Sequence, residues 1–526
     1  MKFTELTEQD KQHLKEIYYK EITHEEKVDL LSKEFECTSR TIRRWWMDLG
    51  LSRMNRDNPQ LEEARKREIS DDTDIVIVTT AQDSTTVNTN FLNNILAYKE
   101  FLANTYNKKV ELIVIPLHYR NPTSIREVLK NDPHVQWGEQ VNEYLYYNKI
   151  IFGDSLIYAN NHITPTMENP LNGREGFAAN NHLILGHPRL HFKTVPRLVG
   201  MPLRVMATTG AVTYRNYSES NSGEKADFHH SYGFIIIEKK ADDTCYIPRN
   251  VKAKSDGSFV DIVFKVEDSK VSIIERSLGL VVGDLHVRQI DDTKMKKTKE
   301  MLSVLRPEVI VFNDVFDGDT LNPYQVDDLY IRKQHIKNKQ YIIGEEVEEA
   351  IQYVLEFTKD FNGKVKIVQS NHDDFLDRHI NKFQWKTDLH NSEHYLRYAL
   401  IQQTEDLISN GNIFGFLVNK HDKLRYITDR EMLYIGGYNI QHTHLGVNGA
   451  AGNPQSFKRL NLKVIGGHTH SPMILDNVNI AGCSCVLRPH YVKGLSSWAH
   501  CDIVIHENNK NQLIVYDDKY EVSGLI

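Results

Sequence analysis

Apolar residues recur every three to four positions near the N-terminus, then gather into short unbroken runs from residue 75 onward. The first spacing predicts helices. Glu8 to Lys20 places Leu14, Ile17 and Tyr18 on one face. Thr23 is a candidate N-cap before Glu25 to Phe35, and after Glu36-Cys37-Thr38 the side chain of Ser39 is placed to cap a third helix through Trp46. Residues 1–55 therefore read as a small helical domain. Ser52 to Asp72 is polar and charge-dense, so residues 56–73 read as a linker, helical only around Leu61 to Glu68.

The unbroken runs predict buried strands. Ile75 to Val78, a helix over Asn88 to Asn107 and a strand over Val110 to Leu117 make a parallel βαβ unit, the start of an α/β middle domain over 74–277. Its strands end in polar loops, where open α/β sheets bind ligands. A third region, 278–526, has β-rich runs at Gly279 to Val282, Val309 to Phe312, Val365 to Val368 and Lys463 to Ile465. Helices intervene at Asp292 to Leu305 and Gly344 to Thr358. The fold class expected is α/β.

Size agrees with this division: 526 residues suggest roughly three domains. Hydrophobic residues at 40% and charged ones at 26% are the balance of a globular protein. No apolar run approaches the roughly 18 residues of a membrane span. The N-terminus lacks the apolar core of a signal peptide, so a cytoplasmic location is expected. Five cysteines do not make a disulfide framework. Cys483 and Cys485 read as thiols on alternate faces of a strand, with a metal site as the alternative. A net charge of −7 weighs mildly against a large DNA-coating surface.

The third predicted helix carries Arg40, Arg43 and Arg44 after a tight turn, as a helix-turn-helix would. Exposed arginines there would meet phosphates or guanine edges while Ile42 and Trp45 or Trp46 pack inward. A helical bundle used for oligomer contacts is the alternative. The pair His229-His230 reads as ordinary loop or core histidines for want of a matching carboxylate.

The chemistry is concentrated in five motifs, each placed where a predicted strand runs out. They are Gly283-Asp284-Leu285-His286, Asn313-Asp314-Val315-Phe316-Asp317, Ser370-Asn371-His372-Asp373, Gln441-His442-Thr443-His444 and Gly466-Gly467-His468-Thr469-His470. Hydrolysing a phosphate ester at neutral pH requires an activated water and compensation of phosphoryl charge. Two divalent ions roughly 3.5–4 Å apart supply both through a bridging hydroxide. Such a pair needs a bridging carboxylate with His, Asp or Asn completing each shell, and these motifs contain those residue types.

Their order resembles the calcineurin-like metallophosphoesterase superfamily over residues 279–500. The resemblance implies a four-layer α/β/β/α domain over 278–526. It implies one metal held by Asp284, His286, Asp314 and His470, and a second held by Asp314, Asn371, His442 and His468, with Asp314 bridging. His372 would act on the scissile phosphate or the leaving oxygen, and Asp317 would orient its ring. Asn313 and Ser370 replace glycines of the family pattern, which is tolerable if their backbone avoids positive φ. Gln441-His442-Thr443-His444 departs from the usual pattern, so His444 rivals His442 as a ligand. Gly318 stands where the protein phosphatases of the superfamily carry an Arg, which points to the diesterase and nuclease branch.

A narrower resemblance rests on Thr80-Ala81-Gln82 with His118 to Ser124, on Thr209-Gly210 through Asn216-Tyr217 to His230, and on Gly446 to Ala450. These look like tailed-phage metallophosphoesterases of the DNA-transfer, host-DNA-degrading kind, themselves similar to Mre11 nucleases. This implies a manganese-dependent DNase, with oligomers an open option, working in a bacterial cytoplasm. Mixed Asp, His and Asn ligation suits Mn²⁺, with Fe²⁺, Zn²⁺ or Mg²⁺ as alternatives. The partner expected is DNA, and Arg332, Lys333, Lys337 and Lys339 would track its backbone or form a solvated surface. Two other functions compete: a small-molecule phosphodiesterase or phosphatase, and a DNA-binding scaffold with a weak or silent active site.

Overall fold

The computed structural model describes all residues except 1–5, 21–23, 50–58, 120, 122–135, 161–162, 179, 323–327, 383–385, 387 and 461. Thr23 and the first part of the expected linker lie outside the described residues, as do Arg120 and the segment from Pro122 to Ser124. The rest is a mixed α/β structure whose described strands form sheets of four, three, six and ten strands.

Three helices, Glu8–Tyr19, His24–Glu34 and Ser39–Asp48, form the N-terminal unit. The first begins at a capping box in which Thr7 and Asp10 satisfy each other's backbone N–H groups. The third is capped by Thr38, whose hydroxyl accepts from the Thr41 N–H at 3.3 Å, and not by the expected Ser39. Leu14, Ile17, Leu31, Ile42, Trp45 and Trp46 make a separate apolar core. Both tryptophans are buried, and Trp46 Nε1 donates to the Leu14 carbonyl at 3.1 Å. Arg40, Arg43 and Arg44 are exposed on the opposite face, as their i, i+3, i+4 spacing dictates.

The helix Pro59–Lys66 is docked rather than free. Leu61 and Ala64 are buried, and Gln60 accepts from the Trp137 N–H at 3.0 Å while donating to its carbonyl at 2.8 Å. The strands Ile75–Gln82 and Val110–Leu117 pair in parallel around the helix Thr89–Tyr106. They join Gly233–Glu238 and Arg249–Lys252 in the four-stranded sheet.

In the six-stranded sheet Gly279–Val281, Val309–Phe312, Lys364–Val368 and Leu424–Ile427 run parallel. Cys501–Ile505 and Asn511–Val515 complete it antiparallel. Alternation along each strand sorts its side chains. Leu280, Ile310, Ile367 and Val504 share a core with the helices Asp292–Leu305 and Ile343–Phe357. Val281, Val311, Val368 and Ile503 face the ten-stranded sheet through Ile440, Ile465 and Ile474. Each such side chain buried contributes about 1.5–3 kcal/mol.

The ten-stranded sheet draws strands from both sides of the expected boundary near residue 277. Met473–Leu475 pairs with His191–Thr194, so the middle and C-terminal segments share one sheet and one core. On its other face the helix Pro454–Arg459 contributes Phe457 against Val464, Val478 and Ile480. Residues that follow the parallel strands Tyr438–Ile440 and Val464–Gly466 meet residues that follow the strands 279–281, 309–312 and 364–368, as His442 does Asp314 and Asn371 and His470 does Asp284.

Candidate metal centre

The first motif is shaped by a buried ionic support. Lys294 Nζ, with no exposed surface, donates to Asp502 Oδ1 and to Ser484 Oγ, both at 2.6 Å. Asp502 accepts from the Gly283 N–H at 3.1 Å, and Ser484 Oγ donates to the Gly283 carbonyl at 3.0 Å. The Ser484 N–H then meets the Asp284 carbonyl at 2.7 Å. The chain is thus clamped at the residue whose carboxylate enters the site. None of Lys294, Ser484 or Asp502 was expected from the sequence, because they stand outside the motifs and meet only in the fold.

Around this clamp the expected side chains converge. Asp314 Oδ2 lies 3.4 Å from both His286 Nε2 and His442 Nε2, between the two groups of candidate ligands. Asp284 Oδ2 is 3.1 Å from His470 Nε2 and accepts from the His468 N–H at 2.7 Å. Its Oδ1 is 3.7 Å from His442 Nδ1. Asn371 Oδ1 sits 3.2 Å from His442 Nε2, and His286 Nε2 is 3.2 Å from His470 Nε2. The His468 ring stands 5.2 Å from that of His442.

Close approach is possible because position 467 has no side chain. A Cβ there would lie 2.0 Å from Asp284 Oδ1 and 3.2 Å from His442 Nδ1. Backbone strain also gathers here. His286, Asp314, His468 and His470 all have left-handed φ, between 47° and 74°. Each such residue costs on the order of 1 kcal/mol or more and is held only by its surroundings. Asn313 and Ser370 are not among the left-handed residues, so the family glycines they replace are not required at those positions. At Gly318 φ is +62°, a conformation that an arginine would adopt only with strain.

Burial opposes charge at every carboxylate here, yet neighbouring imidazoles hold Asp284 low and Asp314 well below the usual carboxylate range. For His286 burial again opposes charging, but Asp314 and Asp317 outweigh it and raise the imidazole to about 10. His468 is pushed down to about 4, first by burial and then by His442, so it is a neutral donor. The buried atoms Asp284 Oδ1, Asp314 Oδ1, His442 Nδ1 and His470 Nδ1 have no hydrogen-bond partner. Buried donors and acceptors without partners are costly, and coordination to a cation would satisfy them. Two clusters have the ligand atoms to hold a metal ion, His286–Asp314–His372 and Asp284–Asp314–His442, and they share Asp314.

His372 and Asp317 meet in an unexpected way. His372 Nδ1 donates to the Asp317 backbone carbonyl at 2.5 Å. The Asp317 carboxylate instead accepts from His286 Nδ1 and from Gln289 Nε2, both at 3.1 Å. The orienting group for His372 is therefore a carbonyl, and the carboxylate fixes His286. In the fourth motif His442 lies 3.7 Å from Asp284 and 3.4 Å from Asp314, whereas His444 Nε2 lies 3.5 Å from Asp429.

Cys483 and Cys485 are both buried and, instead of lying on alternate faces of a strand, bring their sulfurs within 4.8 Å of each other. With His470 they form a third group able to hold a metal ion. Among the described residues all five cysteines are free thiols. His230 is a core histidine: Nδ1 meets the Tyr217 hydroxyl at 2.8 Å and Nε2 the Thr213 carbonyl at 3.0 Å.

The site opens into a cleft of about 520 Å³. His372, His468 and His470 line it together with His490, Tyr491, Lys493 and Trp498. The last four were not expected, although the cluster Arg488-Pro489-His490-Tyr491-Val492-Lys493 is an audible signal of a functional loop. Trp498 packs on His470 with ring centroids 4.0 Å apart. The helix Leu329–Lys337 borders the cleft through Ile331, and its Arg332, Lys333 and Lys337 are exposed. Arg40, Arg43 and Arg44 do not line this cleft.

The chain is similar to Protein A1 of Escherichia phage T5, with 27% identity over 465 residues, which cover 83% of this chain and 81% of that protein. No family model matches the chain, and neither does any solved structure. No helix among the described residues is long and apolar enough to cross a membrane.

Proposed function

We propose that this chain is a two-metal-dependent phosphodiesterase of the calcineurin-like, Mre11-like kind, acting as a DNase. The observation that carries the reading is the position of Asp314, flanked at 3.4 Å by His286 on one side and His442 on the other. The layering of helices, six-stranded sheet, ten-stranded sheet and short helix is compatible with the four-layer arrangement of that superfamily. Two divalent ions, Mn²⁺ by preference, would lower the pKa of water and offset phosphoryl charge. Asp284, His286, Asp314 and His470 would hold one, and Asp314, Asn371, His442 and His468 the other.

The remaining roles belong to the chain's own residues. With Nδ1 committed to the Asp317 carbonyl, His372 keeps Nε2 for the cleft and would deliver a proton to the leaving oxygen. Asp317 would fix the tautomer of His286. Tyr491 and Trp498 offer ring faces for bases and Lys493 a charge for phosphate. Arg40, Arg43 and Arg44 would hold duplex DNA from the N-terminal unit. The similarity to a phage protein supports a phage origin, although the printed name of that protein states no activity.

The test is incubation of metal-stripped protein with linear and circular duplex DNA, with and without Mn²⁺, beside Asp314→Ala. Mn²⁺-dependent loss of DNA that is absent from the variant is the expected result. Turnover of a small phosphodiester with intact DNA would move the protein to the small-molecule class. Inertness towards both would leave a DNA-binding scaffold.

A further inference from the structure

A second cleft, of about 220 Å³, lies at the opposite end of the strands that carry His442 and His468. Tyr438 and Lys463, at the entrances to those strands, line it, as do Arg215, Lys252 and Lys510. Four cations thus converge from four separate stretches of the chain. Among the described residues Lys252, Lys463 and Lys510 form no ion pair, and Arg215 has only a peripheral contact with Asp227 at 3.8 Å. The carboxylate in the lining, Asp476, is already engaged by Lys458 at 3.3 Å, His191 at 3.4 Å, and Arg189 and His229 at 3.5 Å.

Lys252 is the most informative member. Its side chain is buried, and its ammonium donates to the neutral amides Asn479, at 2.8 Å, and Asn511. An ammonium has three donors, and no carboxylate answers this one. Burial, and then Lys510, push it down to about 7. Lys510 is also pushed down, by burial and then by Lys463, Lys254 and Arg215. A buried charge without a counterion is costly, and a fold that places Lys252 beside three more cations at one cleft is organised for an anion from outside.

We propose that this cleft binds a phosphate group, held by Lys252, Lys463, Lys510 and Arg215. A phosphate monoester carries about −1.5 to −2 charge at pH 7 and three acceptor oxygens, which matches several donors better than a carboxylate does. The volume falls below the ~300–1,000 Å³ of drug-sized sites, so one phosphate with its attached sugar fills it. That phosphate comes either from a free nucleotide or from the backbone of a nucleic-acid strand. The site is independent of the metal centre and of the activity proposed for it.

Calorimetric titration of the EDTA-treated full-length chain tests this, with inorganic phosphate, a deoxynucleoside monophosphate and a short single-stranded oligodeoxynucleotide as probes. The exposed or half-exposed Lys463 and Lys510 are replaced together by Ala, and Arg215→Ala is made separately as a check from another segment. Saturable binding is expected, weakened about tenfold or more by either change, since hydrogen bonds to charged groups are strong. Asp314→Ala should bind unchanged, which keeps this result separate from any failure at the metal centre. Equal affinity for phosphate and oligonucleotide assigns a free ligand. Tighter oligonucleotide binding, whose salt slope falls by about 0.7 per lost lysine, assigns the backbone. Absence of binding by all three probes, or binding indifferent to both changes, overturns the proposal.

Discussion

Asp314 and His372 belong to one cluster with His286, and the roles proposed for them differ. Asp314 touches both groups of candidate ligands, so Asp314→Ala should lose most bound Mn²⁺ by elemental analysis and all cleavage. His372 hangs from a backbone carbonyl at the edge of the cleft. His372→Ala should retain metal and lose roughly 10²–10⁴-fold in cleavage rate, the range of general acid–base catalysis. Metal lost in step with activity in the His372 variant would show that it is a ligand. Gly467→Ala is a sharper probe of geometry. Its methyl would collide with Asp284 Oδ1 at 2.0 Å, so metal content should fall although no donor is removed.

At the scale of elements, the Gly283–Asp284 turn is held by the Lys294–Asp502 pair, both members fully buried. Removing one partner of such a pair leaves an uncompensated charge. Lys294→Met should therefore cost about 3–5 kcal/mol in denaturant unfolding. The helix Leu329–Lys337 is tied to the loop after Asp317 through His335, 2.7 Å from Asp319. The hydrogen bond to Asp319 raises the His335 imidazole against opposing burial. Because the folded value lies above the unfolded one, this stabilisation is complete below about pH 6.5. It is lost as pH rises through the folded value. Hydrogen exchange across the helix, corrected for intrinsic rates, should accelerate over that window, and His335→Phe should abolish the pH dependence.

For the whole molecule, the N-terminal helices have a core of their own, whereas the middle and C-terminal segments share theirs. Removal of residues 1–55 should leave Mn²⁺-dependent cleavage and weaken duplex DNA binding in a mobility-shift titration. A scaffold would lose its purpose on the same removal. A cut near residue 277 should behave differently, because it would part the strands His191–Thr194 and Met473–Leu475. Neither half is expected to give a cooperative unfolding transition alone.

Much of this was legible along the chain, and the reason is local. Strand runs such as Val309 to Phe312 and helices such as Asp292 to Leu305 announce themselves through periodicity, because side-chain direction repeats within each element. Asp284, Asp314, Asn371 and His470 stand out along the chain because each follows a strand end and the order of their motifs resembles that of a known superfamily. What needed the tertiary structure is contact between distant residues. That His442 lies beside Asp284 and Asp314 and His444 beside Asp429 is a placement that the sequence does not rank. The use of the Asp317 carbonyl, rather than its carboxylate, under His372 follows from the path of the loop. Lys294 with Asp502 and Lys252 with Lys463 and Lys510 are brought together only when sheets pair and stack. Periodicity determines elements; burial and charge proximity, which decide sites, exist only once those elements are packed.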